Sequence, residues 1–272
     1  MIQRIIPSSG EKMPVIGLGT WKTFDTHDKS RYPDLKAVLD QMHQYQAELI
    51  DTSPMYGNAE KAIGDISSGM AAGSSFFYAT KVWTTGETAG IRQMENSMRL
   101  MGRESIDLMQ VHNLTDWKTH LHTLQHWKET GKIKYIGVTH YTDSMHEELE
   151  RIIKAERIDF VQFNYSIDSR NAEKRLLSAA ADNGVATIIN RPFGEGGLFK
   201  KVRGRILPAW AAEHGIENWS SFFLKYILSH PAVTCVIPAT SDPLHAAENF
   251  RAGTAAVDTK LREKMAGCLL GL

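Results

Sequence analysis

Cysteine is scarce in this sequence. Only Cys235 and Cys268 occur among its 272 residues, and they stand far apart. Disulfide-stapled domains and cysteine-based zinc sites need more cysteines at closer, paired spacing. The sequence therefore argues against a disulfide framework and against a cysteine-based metal centre, and we expect no bound metal.

An excess of one charge is also lacking. Lysine plus arginine and aspartate plus glutamate each total 31, so the formal net charge is zero. No field therefore attracts nucleic acid or an anionic membrane. No run of about 18 apolar residues could span a bilayer, and residues 1–14 lack the apolar stretch of a secretory signal. We expect a cytoplasmic monomer without nucleic-acid or membrane partners.

Short apolar runs rich in β-forming residues recur along the chain. They are continuous rather than alternating, which is typical of parallel strands buried on both faces. The eight runs are IGLG at 16–19, ELID at 48–51, FFYATK at 76–81, IDLMQV at 106–111, IKYIGV at 133–138, DFVQF at 159–163, VATII at 185–189 and VTCVI at 233–237.

Helical patterns lie between these runs. An apolar stripe over 91–101 ends before Gly102, a residue type that commonly terminates helices. Asp242 followed by Pro243 predicts the first turn of another helix. Ser144 and Glu147 have the spacing of a capping box and predict a helix that begins there.

Strict alternation of strands and helices predicts a parallel sheet with right-handed crossovers. Eight such repeats predict an α/β fold, a (β/α)8 TIM barrel with an N-terminal β-hairpin, as one domain over residues 1–272. An open doubly wound sheet is the alternative, but 17–20 is too short for its glycine-rich phosphate loop. Residues 191–216 are predicted to form an insertion in a place where functional loops occur.

Reactive residues of such a barrel gather where its strands end. Asp51 and Lys81 end the second and third runs, His112 directly follows the fourth, and Tyr56 comes shortly after Asp51. A nearby ammonium lowers the pKa of a tyrosine, and a carboxylate holds that ammonium in place. A neutral histidine can orient a carbonyl oxygen. The set predicts general acid catalysis of carbonyl reduction.

Each of these four residues also has a structural explanation. Asp51 could cap a loop, Lys81 could reach solvent, His112 could be a satisfied core histidine and Tyr56 could pack beside a turn. Their convergence at successive strand ends favours the functional interpretation.

The motifs in this chain carry a family resemblance. They are MPVIGLGTW, LIDTSPMYGNAE, ATKVW, IDLMQVHN, IKYIGVTHYT, VQFNYS, RPFGEGGL and IPATSDPLHAAENF. In these motifs, and over most of its length, the sequence resembles the aldo-keto reductase family. The family's catalytic tetrad falls on Asp51, Tyr56, Lys81 and His112. The resemblance implies hydride transfer from NADPH, with NADH possible, to a small aldehyde or ketone.

The resemblance also implies binding residues. Trp21, Trp83 and His112 would face the substrate. The insertion would cover the pyrophosphate, and the segment at 237–249 would hold the adenosine phosphate. The implied cofactor contacts are Gly19, Thr20, Trp21, Asp51, Thr139, His140, Gln162, Arg191, Phe193, Thr240, His245, Glu248 and Asn249.

Three departures from the family pattern concern the cofactor. Thr139-His140 replaces Ser-Asn, and Asn190 replaces the tyrosine that commonly stacks on the nicotinamide. Ala239 and His245 replace the lysine and arginine that typically grip the 2′-phosphate. Losing two cations should weaken a preference for NADPH over NADH.

Two other functions stay open at this point. Some members of the family bind the cofactor yet serve as regulatory subunits, with little turnover. A metal-dependent barrel hydrolase would need clustered ligands at the strand ends, where the sequence offers Asp51, His112 and His140 with Lys81 between them. The short loop after His112 predicts a shallow, open substrate pocket, so the substrate itself stays unassigned.

Overall fold

A computed structural model describes residues 1–255 and 258–270 of the chain. It begins with an antiparallel hairpin of β1 (Gln3–Ile5) and β2 (Lys12–Pro14). Ile6 and Met13 of this hairpin pack into an apolar cluster with the inward side chains of the barrel strands, among them Leu49 and Leu108. The predicted hairpin is therefore present, and it closes the barrel floor.

Eight parallel strands pair in chain order. They are β3 (Leu18–Gly19), β4 (Leu49–Asp51), β5 (Phe77–Val82), β6 (Ile106–His112), β7 (Ile133–Thr139), β8 (Phe160–Asn164), β9 (Ala186–Asn190) and β10 (Cys235–Val236). Parallel bridges from Ile16 to Val236 and from Gly19 to Ala239 join the first strand to the last. The sheet closes on itself, so the predicted (β/α)8 barrel is confirmed and the open-sheet alternative is wrong.

Helices surround the barrel. They are α1 (Tyr32–Gln44), α2 (Ala59–Ser67), α3 (Glu87–Met101), α4 (Trp117–Glu129), α5 (His146–Ala155), α6 (Leu176–Asp182), α7 (Gly197–Lys201), α8 (Trp219–Leu228), α9 (Pro243–Arg251) and α10 (Leu261–Leu270). Outward strand residues pack against their apolar faces. None of the helices in the described part of the chain is long and apolar enough to cross a membrane.

The helix ends test the sequence predictions. Gly102 terminates α3 in the left-handed conformation, at φ +63°. Asp242 caps α9 by accepting a hydrogen bond from the backbone of Leu244. The capping box at Ser144 is wrong: α5 begins at His146 after a short 3₁₀ turn over Asp143–Met145. The hydroxyl of Ser144 contacts Thr142 instead, at 3.0 Å.

The barrel interior changes character along its axis. Because side chains alternate across a strand, every second residue points inward. Near the floor these residues are apolar, for example Leu49, Ala79 and Leu108. Two residues further along each strand they are Asp51, Lys81 and Gln110, all buried. The fold thus builds a polar cluster at the carboxyl ends of the strands, above an apolar base.

Candidate active site

An ion pair lies at the centre of the polar cluster. Lys81 Nζ is 2.6 Å from Asp51 Oδ2 and donates a second hydrogen bond to the backbone oxygen of Thr52, at 2.8 Å. The side chains of Lys81 and Asp51 are 0% and 2% exposed. Burial of a charge is costly unless the charge is paired and hydrogen-bonded, and here both conditions are met.

Two glutamines complete the surroundings of Asp51. Its Oδ1 accepts hydrogen bonds from Gln162 Nε2 at 2.8 Å and from Gln110 Nε2 at 3.1 Å. Gln110 was missed from the sequence, although it is a polar residue inside an apolar strand, two positions before His112. Gln162, predicted to contact the cofactor, lies in the cavity wall with its amide nitrogen held by Asp51.

The charge on Lys81 is stable in this setting. Burial alone disfavours the ammonium, but the attraction of Asp51 and of the Tyr56 phenol is stronger. The pKa of Lys81 is therefore raised above its ordinary value. The side chain stays a cation throughout the neutral range.

Tyr56 is held by a tight loop after β4. Its backbone N–H donates to the oxygen of Ser53 at 2.9 Å. The next residue, Gly57, has φ +60°, and a Cβ there would overlap the carboxylate of Asp25. The chain can therefore turn this closely only with glycine. The loop places Lys81 Nζ 5.0 Å from the centre of the Tyr56 ring.

The acidity of Tyr56 differs from the sequence expectation. Burial raises the pKa of the phenol, and Lys81 lowers it by a smaller amount, so the pKa is raised above 10 overall. The predicted net decrease is wrong, because the desolvation of a phenolate outweighs one neighbouring cation here. The phenol consequently stays protonated at neutral pH, the state that a proton donor requires.

His112 stands beside Tyr56. The two rings meet edge to face, with centres 5.7 Å apart. The centre of the Trp83 ring lies 6.3 Å from the centre of the His112 ring. Burial, and then the charge of Lys81 and the neighbouring His140, lower the pKa of His112 to about 2. The imidazole is neutral at physiological pH and can donate only one N–H hydrogen bond.

This low pKa predicts a measurable acid sensitivity. In the unfolded chain histidine takes up a proton below about pH 6.5. Folded His112 does so only near pH 2, so protons favour the unfolded state and stability falls with falling pH. Between pH 7 and pH 5, wild type should lose about 2 kcal/mol more unfolding free energy than His112→Gln.

Urea unfolding at pH 5, 6 and 7 measures this difference. His122→Gln is the matched control, because His122 is solvent-exposed on α4 and its loss should leave the wild-type pH dependence in place. Parallel wild-type and His112→Gln curves would contradict a buried, neutral His112.

A cavity of about 480 Å³ opens at the carboxyl ends of the strands. The predicted residues that line it are Gly19, Thr20, Trp21, Asp51, Tyr56, His112, Thr139, Gln162, Arg191 and Phe193. The wall also contains residues that the sequence did not single out as contacts, namely Lys22, Thr23, Met55, Asn113, Tyr141, Asn190, Pro192, Glu195, Gly196, Phe199, Ile237 and Ala239. The structure thus brings the Asp51–Lys81 pair, Tyr56 and His112 together at one opening.

Some predicted contact residues lie outside this wall. The Trp83 ring lies beside that of His112, and His140 stacks on Tyr141 with ring centres 5.2 Å apart. Of the predicted adenosine-binding residues, Thr240 follows the lining residue Ala239 and precedes α9, whereas His245, Glu248 and Asn249 lie within α9.

The insertion after β9 covers one side of the cavity. Arg191 forms an ion pair with Glu195 at 2.5 Å, and its guanidinium lies 4.3 Å from the centre of the Tyr141 ring. Both Arg191 and Glu195 have positive φ, at +51° and +54°. The predicted covering segment is therefore a tightly folded loop that presents a cation beside the opening.

Three buried polar atoms in the cavity wall have no hydrogen-bond partner among the described residues. They are the hydroxyl oxygen of Thr23 and the amide oxygens of Asn113 and Asn190. Buried acceptors of this kind are rare, since an unpaired polar group costs free energy. The wall therefore offers two amide oxygens and the Thr23 hydroxyl to a ligand that carries N–H or O–H groups.

The part of the chain that the structure describes offers no cluster of metal ligands. Within residues 1–255 and 258–270, no three histidine, cysteine, aspartate or glutamate side chains lie close enough together to hold an ion. The set at the strand ends is instead an acid, a cation and a neutral imidazole, which suits proton transfer to an oxygen atom.

Comparison with known proteins agrees with this geometry. A family model described as Aldo/keto reductase family matches residues 15–269. Methylglyoxal reductase YeaE of Escherichia coli (strain K12) is 25% identical, over 92% of this chain and 89% of that protein. D-galacturonate reductase of Hypocrea jecorina is 28% identical over 52% of this chain, and the match spans 53% of its length.

Solved structures agree on the fold. An aldo/keto reductase from Klebsiella pneumoniae, crystallised with NADP and acetate, has a TM-score of 0.83 at 20% sequence identity. That comparison covers 99% of this chain and 96% of the other. Because the family model matches most of the sequence, the chain belongs to the aldo/keto reductase family.

Proposed function

We propose that this chain reduces small aldehydes or ketones to alcohols with a nicotinamide cofactor, and that Tyr56 donates the proton. The observation that carries the proposal is the buried Lys81–Asp51 pair beneath Tyr56 and His112, at the edge of one open cavity. Residues that served packing alone would not require a cation and a neutral imidazole next to a phenol.

Each member of the set has a distinct task. When bound, the reduced cofactor supplies a hydride to the carbonyl carbon. Tyr56 transfers its proton to the carbonyl oxygen as negative charge develops there. Lys81 stabilises the phenolate that remains, and Asp51 holds Lys81 in place. His112, which is neutral, donates an N–H hydrogen bond that orients the carbonyl oxygen.

The cavity fits a dinucleotide that carries a carboxamide. The unpartnered oxygens of Asn113 and Asn190 match amide donors, and Asn190 stands where the family commonly has a stacking tyrosine. We propose that Gly19, Thr20, Trp21, Asp51, Thr139, His140 and Gln162 surround the nicotinamide end. The pyrophosphate and adenosine would be held by Arg191, Phe193, Thr240, His245, Glu248 and Asn249.

The substrate side is apolar and open. Met55, Tyr141 and Phe199 line the cavity and are each about 40% exposed at its rim. Such a rim favours small or aromatic aldehydes over a single large substrate. Trp21 and Trp83 are the proposed aromatic contacts, Trp83 acting through its position beside His112.

Cofactor oxidation tests the proposed function. The purified chain should consume NADPH or NADH when given 4-nitrobenzaldehyde or methylglyoxal, the latter suggested by the name of the bacterial relative. Quenching of intrinsic fluorescence measures cofactor binding separately. Binding without turnover of either aldehyde would support a regulatory subunit instead. Failure to bind either nucleotide at millimolar concentration would contradict both.

The physical state of the protein is a further part of the proposal. We propose a single-domain cytoplasmic monomer that acts on a small molecule, and the balanced charge supports the lack of a nucleic-acid partner. Light scattering on the eluting protein tests the monomer, and a dimer mass would contradict it.

Cofactor selectivity should be weak. Besides Ala239 and His245, the start of α9 holds Asp242, whose carboxylate accepts the N–H groups of Leu244 and His245, at 2.8 and 3.4 Å. A carboxylate there competes with an incoming phosphate for the helix N-terminus and repels it. We expect the Kd values for NADPH and NADH to differ by less than about tenfold, a free-energy difference of about 1.4 kcal/mol.

Two substitutions should create a preference for NADPH. His245→Arg adds a permanent cation, and a charge-assisted hydrogen bond contributes about 1.5–3 kcal/mol, or roughly tenfold or more in Kd. Asp242→Asn keeps a capping side chain but removes the negative charge, so it should act in the same direction. The affinity for NADH should stay constant. His122→Arg on the remote α4 is the control, and equal changes for both cofactors would contradict this assignment.

A further inference from the structure

Ser53 is a buried residue that the proposed reaction does not use. It lies between Asp51 and Tyr56 in the loop after β4 and is fully buried. Its hydroxyl oxygen is 2.9 Å from Nδ1 of His112. The same oxygen accepts a hydrogen bond from the backbone N–H of Met55, at 3.2 Å. Ser53 thus connects the loop that carries Tyr56 with the imidazole beside it.

Only one arrangement of the protons at this contact gives every donor an acceptor. A serine hydroxyl has one O–H donor and two acceptor sites, and a neutral imidazole has one N–H and one lone pair. If Ser53 donates to Nδ1, its proton is used, the lone pair of Nδ1 is used, and the imidazole proton resides on Nε2. If Nδ1 carries the proton, the buried hydroxyl accepts twice and its own proton has no acceptor among the described residues.

We propose that Ser53 is a positioning residue that fixes His112 in the tautomer with its proton on Nε2. This proposal rests on the proposed reduction of carbonyl groups, in which His112 orients the substrate oxygen. The hydrogen bond made by one ring nitrogen determines which nitrogen carries the proton, and it also fixes the rotation of the ring.

The tautomer decides whether His112 can serve that reaction. With Nδ1 bound to Ser53, the ring presents Nε2 as its free nitrogen. A protonated Nε2 donates to a carbonyl oxygen and stabilises the charge that develops there. An unprotonated Nε2 presents a lone pair, which repels that oxygen. Ser53 therefore determines whether Nε2 of His112 is a hydrogen-bond donor or an acceptor, without itself touching the substrate.

Nitrogen NMR on histidine-labelled protein tests the tautomer independently of turnover. The spectrum of His112→Asn identifies the His112 signals by their loss. In the wild-type protein at pH 7, we expect a protonated Nε2 and an unprotonated Nδ1 on His112. In Ser53→Ala both tautomers should be populated. A wild-type His112 with its proton on Nδ1 overturns the proposal, even if the reductase activity is present.

Kinetics test the consequence. Loss of the partner that orients a metal-bound histidine typically costs about 10–100-fold, and by the same reasoning we expect kcat of Ser53→Ala to fall about tenfold or more. The Kd for the cofactor should not change. Ser53→Thr retains the hydroxyl and should restore most of the activity. Ser229→Ala is the matched control, because Ser229 is a buried serine that donates to the Tyr226 oxygen on α8.

A double-mutant cycle separates positioning from simple packing. If Ser53 acts through His112, Ser53→Ala should change kcat less than twofold in the His112→Asn background. A full tenfold loss in that background overturns the proposal, because the effect would then come from the loop or from Tyr56. Should Ser53→Ala fail to fold, the wild-type spectrum and Ser53→Thr still decide the assignment.

Discussion

Tyr56→Phe is expected to lower kcat by about 10²–10⁴-fold, the usual contribution of a general acid. The substitution removes only the hydroxyl. The aromatic ring keeps its edge-to-face contact with His112 and its position over Lys81 Nζ. The loss should therefore come from chemistry rather than from packing, and stability should change little.

The measurement pairs steady-state turnover with cofactor affinity. Turnover of 4-nitrobenzaldehyde should fall while the Kd for the cofactor stays within about twofold, because the phenol is proposed to act on the substrate oxygen. Tyr78→Phe is the matched control, since this buried tyrosine donates to the Gly73 oxygen on the outer side of β5. Near-normal turnover of Tyr56→Phe with confirmed cofactor binding would remove Tyr56 from the mechanism.

The raised pKa of Tyr56 also predicts how activity depends on pH. A phenol with a lowered pKa would titrate within the assay range, and activity would fall as the pH rises towards it. The partly buried phenol stays protonated instead, so the reduction should keep its proton donor between pH 6 and pH 9. The sequence alone could not show this, because the balance between desolvation and the Lys81 charge depends on how deeply the loop buries the ring.

Much of the fold follows from local pattern. Continuous apolar runs at regular spacing predicted all eight strands, because parallel strands are buried on both faces. The functional cluster followed from the same regularity, since polar residues such as Lys81 and His112 end successive strands. The eight repeats implied a helix in each gap, but α1 and α2 were not located individually, although Leu35, Val38, Leu39 and Met42 have helical spacing along α1.

Contacts between distant parts of the chain were beyond sequence reasoning. Gln110 and Gln162 share Asp51 only because barrel closure brings β6 and β8 to one centre. Ser53 reaches His112 across 59 residues for the same reason. The predicted capping box at Ser144 was wrong because residues Asp143–Met145 form a 3₁₀ turn and the α-helix begins only after it. Spacing rules describe one element at a time, whereas these contacts belong to the closed barrel.

Lys81→Met should reduce both turnover and stability, unlike Tyr56→Phe. Without the ammonium, the Tyr56 phenolate loses its neighbouring cation, so the proton transfer becomes less favourable. The carboxylate of Asp51 stays buried with only the amides of Gln110 and Gln162 as donors. Removing one partner of a buried pair typically costs about 3–5 kcal/mol. For a chain of this size the melting temperature should fall by on the order of 10 °C.

The pH of the measurement follows from the sign of the pKa shift. The folded pKa of Lys81 is raised, so its contribution to stability is fully present below the unfolded pKa of about 10.4. The contribution is lost only as the pH rises through the folded value. Urea unfolding at pH 7 therefore measures the whole effect. Lys128→Met is the matched control. Lys128 Nζ pairs with the buried Asp159 at 2.7 Å, and neither residue lines the cavity.

The double variant Asp51→Asn/Lys81→Met isolates the cause of the instability. Removing both charges leaves no unpaired carboxylate, so most of the lost unfolding free energy should return. Turnover should stay as low as in Lys81→Met, because the phenol still lacks its cation. Lys128→Met should show the opposite pattern, with lower stability and unchanged turnover. A Lys81→Met variant with wild-type stability, or a double variant no more stable than Lys81→Met, would contradict the charge-pair account. Retained turnover in Lys81→Met would contradict the role of the cation in proton transfer.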